Sequence, residues 1–142
     1  MGVVELNLLS HKHLDAVRIF TMWCRKEGGV EVDLENIPKN DVKTFDLLCS
    51  GETIGVFQFE SNTMQHLLRE AKPTTLEELA KVYGSVCKIP PHAIGYTLLA
   101  YQTAYLKAHY PTEYLSALVY VYRHNESQKT TYKNELKKIV NL

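Results

Sequence analysis

The sequence predicts a mainly α-helical chain with a minor β component: a helical core, and one or two short strands in the N-terminal half. Apolar residues recur at three- and four-residue spacing through most of its 142 residues. The 5 prolines and most of the 7 glycines stand between those stretches rather than inside them. Two short segments, 3–9 and 53–59, alternate with period two instead.

Taken in order, residues 3–9 place Glu5 and Asn7 at alternate positions among apolar neighbours, the pattern of a short strand. Ser10 is positioned to cap a helix running to about Glu27, with Leu14, Val17, Phe20 and Cys24 as its apolar stripe and Gly28-Gly29 as its stop. Residues 30–37 alternate weakly and close at Pro38. Asn40 can cap a second helix whose face is Val42, Phe45, Leu48 and Cys49, ended by Gly51. Residues 53–59 read as a strand with Ile54 and Val56 on one face and Phe57 and Phe59 on the other.

Ser61 or Asn62 opens the next helix, with Met64, Leu67, Leu68 and Ala71 inward and Pro73 as its stop. Thr75-Leu76-Glu77-Glu78 is a capping box, in which Thr75 accepts from a free amide and Glu78 reaches back. That helix is expected to run to about Tyr83. Residues 84–91, with Gly84, Pro90 and Pro91, form a joint. Beyond it, 93–109 is apolar nearly all round and should be a buried central helix. Pro111 breaks it, 112–122 forms another apolar helix, and 129–140 is amphipathic through Tyr132, Leu136, Ile139 and Val140. The length suits one domain over residues 1–142.

Sixteen basic residues balance sixteen acidic ones. A freestanding nucleic-acid binder usually carries a basic excess, because neutralised phosphates supply most of its affinity. The balance is uneven along the chain, however. Residues 1–85 hold 9 Lys+Arg against 13 Asp+Glu, and residues 86–142 hold 7 against 3. Cys24, Cys49 and Cys87 are odd in number and without Cys-x-x-Cys spacing, so they read as reduced thiols. The N-terminus shows no signal-peptide pattern, and the apolar stretch 94–108, broken by Gln102, Thr103 and Lys107, is too short and polar to span a bilayer. A cytoplasmic protein with no membrane partner is the expectation.

Residues 38–73, with the core Gly55-Val56-Phe57-Gln58-Phe59-Glu60-Ser61 and then Met64, closely resemble a segment of the bacterial DNA polymerase III alpha subunit, a C-family replicative polymerase. A second block, residues 101–114, resembles the same family near the end of its fingers region. In the family a long stretch separates the two blocks, and here residues 84–91 stand in its place. The resemblance therefore implies an internally deleted, fingers-like polymerase fragment.

It also implies that the chemistry is lost. Nucleotidyl transfer needs two metal ions held by negative oxygen ligands. The family uses three aspartates and Mg²⁺. Two of the aspartates are expected upstream of Met1, and the third aligns with Asn7, a neutral amide. A family lysine that contacts the nucleotide aligns with Pro90, two residues before His92. The resemblance offers Gln58, Glu60 and His92 as nucleotide or DNA contacts; as plain sequence, Gln58 and Glu60 read equally as solvent-facing residues at a helix start.

From charge alone, Lys107, Arg123, Lys129, Lys133, Lys137 and Lys138 are the cations that could gather near one face; Lys107, Lys133 and Lys137 are taken as candidate phosphate contacts, the last two lying four apart on one helix. No metal site is expected: His11-Lys12-His13 points its imidazoles apart on a helix. Tyr96, Tyr101, Tyr105, Tyr114 and Tyr120 can stack on bases, but their helical spacing favours core packing. The expected function is thus that of a DNA polymerase III alpha-like protein, inactive by itself, with no cofactor and with weak contacts to primer-template DNA or to replication proteins. The alternatives are a non-enzymatic helical interaction module or decoy, and a split-polymerase subunit that needs a second chain.

Overall fold

The computed structural model describes the backbone of residues 2–26, 32–86 and 90–140, and the side chains of 12–26, 32–85 and 95–140. Among the described residues there are seven helices and no strand. They are α1 (Gly2–Lys26), α2 (Val42–Ser50), α3 (Asn62–Ala71), α4 (Leu76–Val86), α5 (Pro90–His109), α6 (Pro111–Val121) and α7 (Glu126–Val140). The mainly helical expectation holds, and both expected strands are corrected.

Residues 3–9 belong to α1, and Ser10 lies inside that helix rather than capping it. A strand must find hydrogen-bond partners on a neighbouring strand, and none exists among the described residues. A helix satisfies its backbone locally, which outweighs the strand preference of Val3 and Val4.

Residues 53–59 form two successive turns. The Val56 amide donates to the Thr53 carbonyl at 3.0 Å, and the Phe59 amide to the Val56 carbonyl at 3.1 Å. Each turn has a left-handed residue in third place, Gly55 with φ 94° and Gln58 with φ 67°. Those two angles forbid an extended run. Val56, Phe57 and Phe59 are consequently all buried rather than split between two faces.

The helix ends follow the chemistry of capping. Asp41, not Asn40, caps α2 by accepting the Thr44 amide at 2.9 Å, and Gly51 closes it with φ 74°. Ser61 caps α3 through the Met64 amide at 3.2 Å. Thr75 accepts the Glu78 amide at 3.1 Å as expected, while the Glu78 carboxylate takes the hydroxyls of Thr74 and Thr75. At the joint, α4 continues through Gly84 to Val86, since a glycine weakens a helix without forbidding it. Pro90 opens α5, where a proline's missing N–H is no loss. Residues 87–89 lie outside the described residues, as do 27–31, on which the expected stop of α1 and the start of the weak alternation at 30–37 fall.

The helices divide into two compact units. Residues 34–109 form one, in which α5 packs on α2 and α4, and α3 packs on α2 and α4. Its core joins Phe45, Leu48, Val56, Phe57, Phe59, Met64, Leu68, Leu79, Tyr83, Ala100, Tyr101 and Ala104. The other unit contains α1, α6 and α7, with α6 packed on both partners. Within it Phe20 meets Tyr110 at 5.6 Å between ring centroids, and Tyr122 meets Tyr132 at 5.3 Å. No helix among the described residues is long and apolar enough to cross a membrane.

Candidate functional site

The double turn at 53–61 is built by side chains that hydrogen-bond its own backbone. The Thr53 hydroxyl donates to the Phe59 carbonyl at 2.6 Å, and the Glu60 carboxylate accepts the Gly55 amide at 3.0 Å. From α5, the Thr103 hydroxyl accepts the buried Phe57 amide at 3.0 Å. A loop with this many internal polar closures holds one shape, because each buried donor would cost more unpaired than paired.

Helix α5 binds the rest of the 34–52 segment in the same way. The buried Tyr101 donates its hydroxyl to the Pro38 carbonyl, and the Tyr101 hydroxyl oxygen accepts the Asp41 amide at 3.1 Å. Gln102 reaches the Leu34 carbonyl at 3.3 Å, and Lys107 reaches the Glu52 carbonyl at 2.7 Å. His109 Nε2 lies 2.7 Å from the Asp41 carboxylate, while its ring lies on Tyr105 at 4.3 Å. Burial pushes the Asp41 carboxyl upward, but hydrogen bonds from Thr44 and His109 outweigh it, so its pKa sits below the usual value. Burial raises the Tyr101 hydroxyl above its usual range, which keeps it a neutral donor. The two blocks that carried the family resemblance are thus locked together by side-chain-to-backbone bonds.

The expected site residues fall in different places. Gln58 and Glu60 share the double turn, both half-buried; Gln58 holds its strained φ and Glu60 closes the loop on Gly55. Lys107 is buried, only 4% exposed, with its ammonium on a backbone carbonyl. This takes it off the surface where phosphates are met. Lys133 and Lys137 are exposed on α7, in the other unit. Their neighbours Lys129 and Lys138 pair with Glu126 at 3.0 Å and Glu135 at 3.4 Å. Asn7 lies in α1 and His92 in α5, and the side chains of both fall outside the described residues.

Of the five tyrosines, Tyr101 and Tyr114 are buried, Tyr96 and Tyr105 half-buried, and Tyr120 exposed. Thr103, Tyr101 and His109 were not singled out as positioning residues by the sequence. The available signal was that polar Thr103 and Lys107 interrupt an apolar helix, and a buried polar group requires a partner.

Among the described side chains, no group of three His, Cys, Asp or Glu stands close enough to hold a metal ion. No step through Mg²⁺ follows from this geometry.

A helical unit closed around a rigid, side-chain-stapled double turn is the class of protein that the fold defines. The sequence profile of the bacterial DNA polymerase III alpha subunit finger domain matches residues 13–87, more than half of the chain, and the chain belongs to that family. It is similar to DNA polymerase III subunit alpha of Bacillus subtilis strain 168, 35% identical over 82 residues, which is 58% of this chain and 7% of the relative. The protein of the same name from Halalkalibacterium halodurans is 37% identical over 82 residues, again 58% of this chain and 7% of that protein. For the Staphylococcus aureus Mu50 protein the identity is 32% over 82 residues, 58% of this chain and 8% of the relative. The matched stretch therefore spans less than a tenth of these relatives. The block at 101–114 lies beyond the profile match.

Proposed function

We propose that this chain is a finger-domain module of the polymerase III alpha kind that contacts primer-template DNA weakly and transfers no nucleotides by itself. The observation that carries the reading is the finger-domain match over residues 13–87. The stapled double turn supports it, since the stretch with the family's core residues keeps a defined shape. Inactivity follows from residue types: an amide at Asn7 and a proline at Pro90 supply neither a metal-binding charge nor a cation for a nucleotide. On this reading residues 1–142 are one finger-like module. The joint at 84–91 stands where the family carries a longer segment.

Contact with DNA falls to the exposed Lys133 and Lys137 of α7, which share a face and have no ion pair among the described residues. In the other unit, Gln58 and Glu60 of the double turn are the candidate contacts that the family resemblance carries. The testing experiment pairs primer extension with a DNA-binding titration on the same preparation. Weak, salt-sensitive binding without extension is the expected result. Extension that survives removal of contaminating polymerase would overturn the inactive reading. Activity gained only with a second chain identifies a split enzyme, and DNA-independent capture of a replication protein identifies an interaction module.

A further inference from the structure

In the unit formed by α1, α6 and α7, three side chains make a layered cluster at the surface. Trp23 and Tyr120 meet edge to face, 5.9 Å between centroids at 67°. The Arg123 guanidinium lies over the Tyr120 ring, 4.3 Å from its centroid. Its Nη1 also donates to the Tyr120 carbonyl at 2.8 Å, which fixes the guanidinium on the ring. Tyr120 is nonetheless 46% exposed, and nearby in sequence to Trp23, Met22 is 50% exposed. Met22, Trp23 and Lys26 stand three and four residues apart on one side of α1, and Arg25 and Lys26 end that helix with two cations.

Core packing accounts for the other tyrosines but not for Tyr120. Exposed Tyr120, Met22 and Arg123 beside the half-buried Trp23 mark a contact surface. The charges indicate what it contacts. Arg25, Lys26 and Arg123 are exposed cations, and no carboxylate among the described residues pairs with them. Cations interleaved with flat, exposed π surfaces are what single-stranded nucleic acid requires, because its bases offer free faces while its phosphates need neutralising. A duplex keeps its base faces inside the stack and cannot use such a platform.

We infer that Trp23, Tyr120 and Arg123 form a stacking site for single-stranded DNA, with Lys26, on the same side of α1 as Trp23, meeting a flanking phosphate. The inference rests on the DNA-contact reading and adds the form of DNA and the place it docks. It uses different residues from the α7 lysines, so the two can fail separately.

Trp23 is the only tryptophan, so its emission reports this site alone. The full chain is titrated with a short oligothymidylate and with a duplex of equal length, following Trp23 emission and the anisotropy of labelled DNA. The expected result is quenching by the single strand, with affinity at least about tenfold above that for the duplex. Tyr120→Ala should weaken single-strand binding by about 5- to 100-fold, as loss of one base-stacking partner does. Tyr120→Phe, which keeps the ring, should retain it. Lys133→Glu with Lys137→Glu should lower duplex binding and leave the quench in place. Equal affinity for both forms, with no response to Tyr120→Ala, overturns the stacking site and leaves the DNA-contact reading standing. Absence of binding to either form overturns both. Tyr120 is exposed, so its variants keep the helical circular dichroism of the parent, and a variant that loses it is replaced in the comparison by Arg123→Ala.

Discussion

Lys107 donates its ammonium to the carbonyl of Glu52 at 2.7 Å, across 55 residues of chain. That carbonyl follows Gly51, the left-handed stop of α2, so the bond anchors the entry to the double turn. A cation that sequence charge assigns to phosphates instead holds a loop. Lys107→Ala is therefore expected to lower folding stability by about 1.5–3 kcal/mol, the range for a hydrogen bond to a charged group. Urea unfolding and DNA titration of the same variant separate the roles. Unchanged stability with reduced DNA affinity would return Lys107 to the surface.

The double turn makes a prediction of its own through Gln58. A side chain at φ 67° carries strain of about 1–2 kcal/mol that glycine avoids and a β-branched residue aggravates. Gln58→Gly should be at least as stable as the parent, and Gln58→Ile less stable by about 1–2 kcal/mol. Thermal or denaturant midpoints in the reverse order would mean that the turn relaxes when the glutamine is removed.

The parts of this fold that were legible in the sequence are those fixed by neighbours. Ser61 and Thr75 were readable as caps because the amides they satisfy lie three residues on. Gly51 was readable as a stop for the same local reason. Asn40 and Asp41 are adjacent and equally able to cap, and the choice is made by Tyr101 and His109, which hold Asp41 from 60 and 68 residues away. The segment 53–59 alternates like a strand, yet nothing in its composition announces a positive φ at Gln58. Only the surroundings impose it: the Thr103 hydroxyl on Phe57 and the burial of Val56, Phe57 and Phe59. Of the candidate site, the sequence identified Gln58 and Glu60 by resemblance. It could not show that Lys107 is buried, or that Tyr120 is not.

Acid should weaken this fold partly through Asp41. Its carboxyl has a folded pKa below the ordinary 3.8, because the hydrogen bonds from Thr44 and His109 outweigh desolvation. A lowered acidic pKa means that the folded state binds the proton less well than the unfolded chain. The stabilisation is then fully present above the unfolded value and is lost as pH falls through the folded one. Asp41→Ala should cost about 0.5–2 kcal/mol at neutral pH, the range for a lost helix cap. The gap between parent and variant should shrink steadily below pH of about 4. A gap that stays constant to low pH would show that the carboxylate charge contributes nothing.

Core truncations should rank by burial. Leu68 is fully buried on α3, whereas Leu99 on α5 packs against the same core while remaining partly exposed. Leu68→Ala should cost about 2–5 kcal/mol, and Leu99→Ala distinctly less. The reverse order would place the packing centre of this unit nearer to α5 than to the α2–α4 layer.

The remaining prediction concerns the salt dependence of duplex binding. The acidic residues of the first 85 oppose what the basic excess of the last 57 attracts, so affinity depends on a few unpaired cations. Lys107 is engaged by Glu52, Lys129 by Glu126 and Lys138 by Glu135. That leaves Lys133 and Lys137 as the α7 cations available to phosphates. Neutralising two phosphates gives a slope of about −2 in a log–log plot of affinity against salt. Binding should therefore fall roughly tenfold or more between 50 and 200 mM salt, without preference among duplex sequences. Lys133→Glu with Lys137→Glu should sharply lower duplex binding at the lower salt while leaving helix content nearly unchanged, since both side chains are exposed. A slope much steeper than about −3 would require cations beyond α7. Sequence-selective binding that resists salt would instead mean that base edges are read directly, and the double turn at Gln58 and Glu60 would be the first place to mutate.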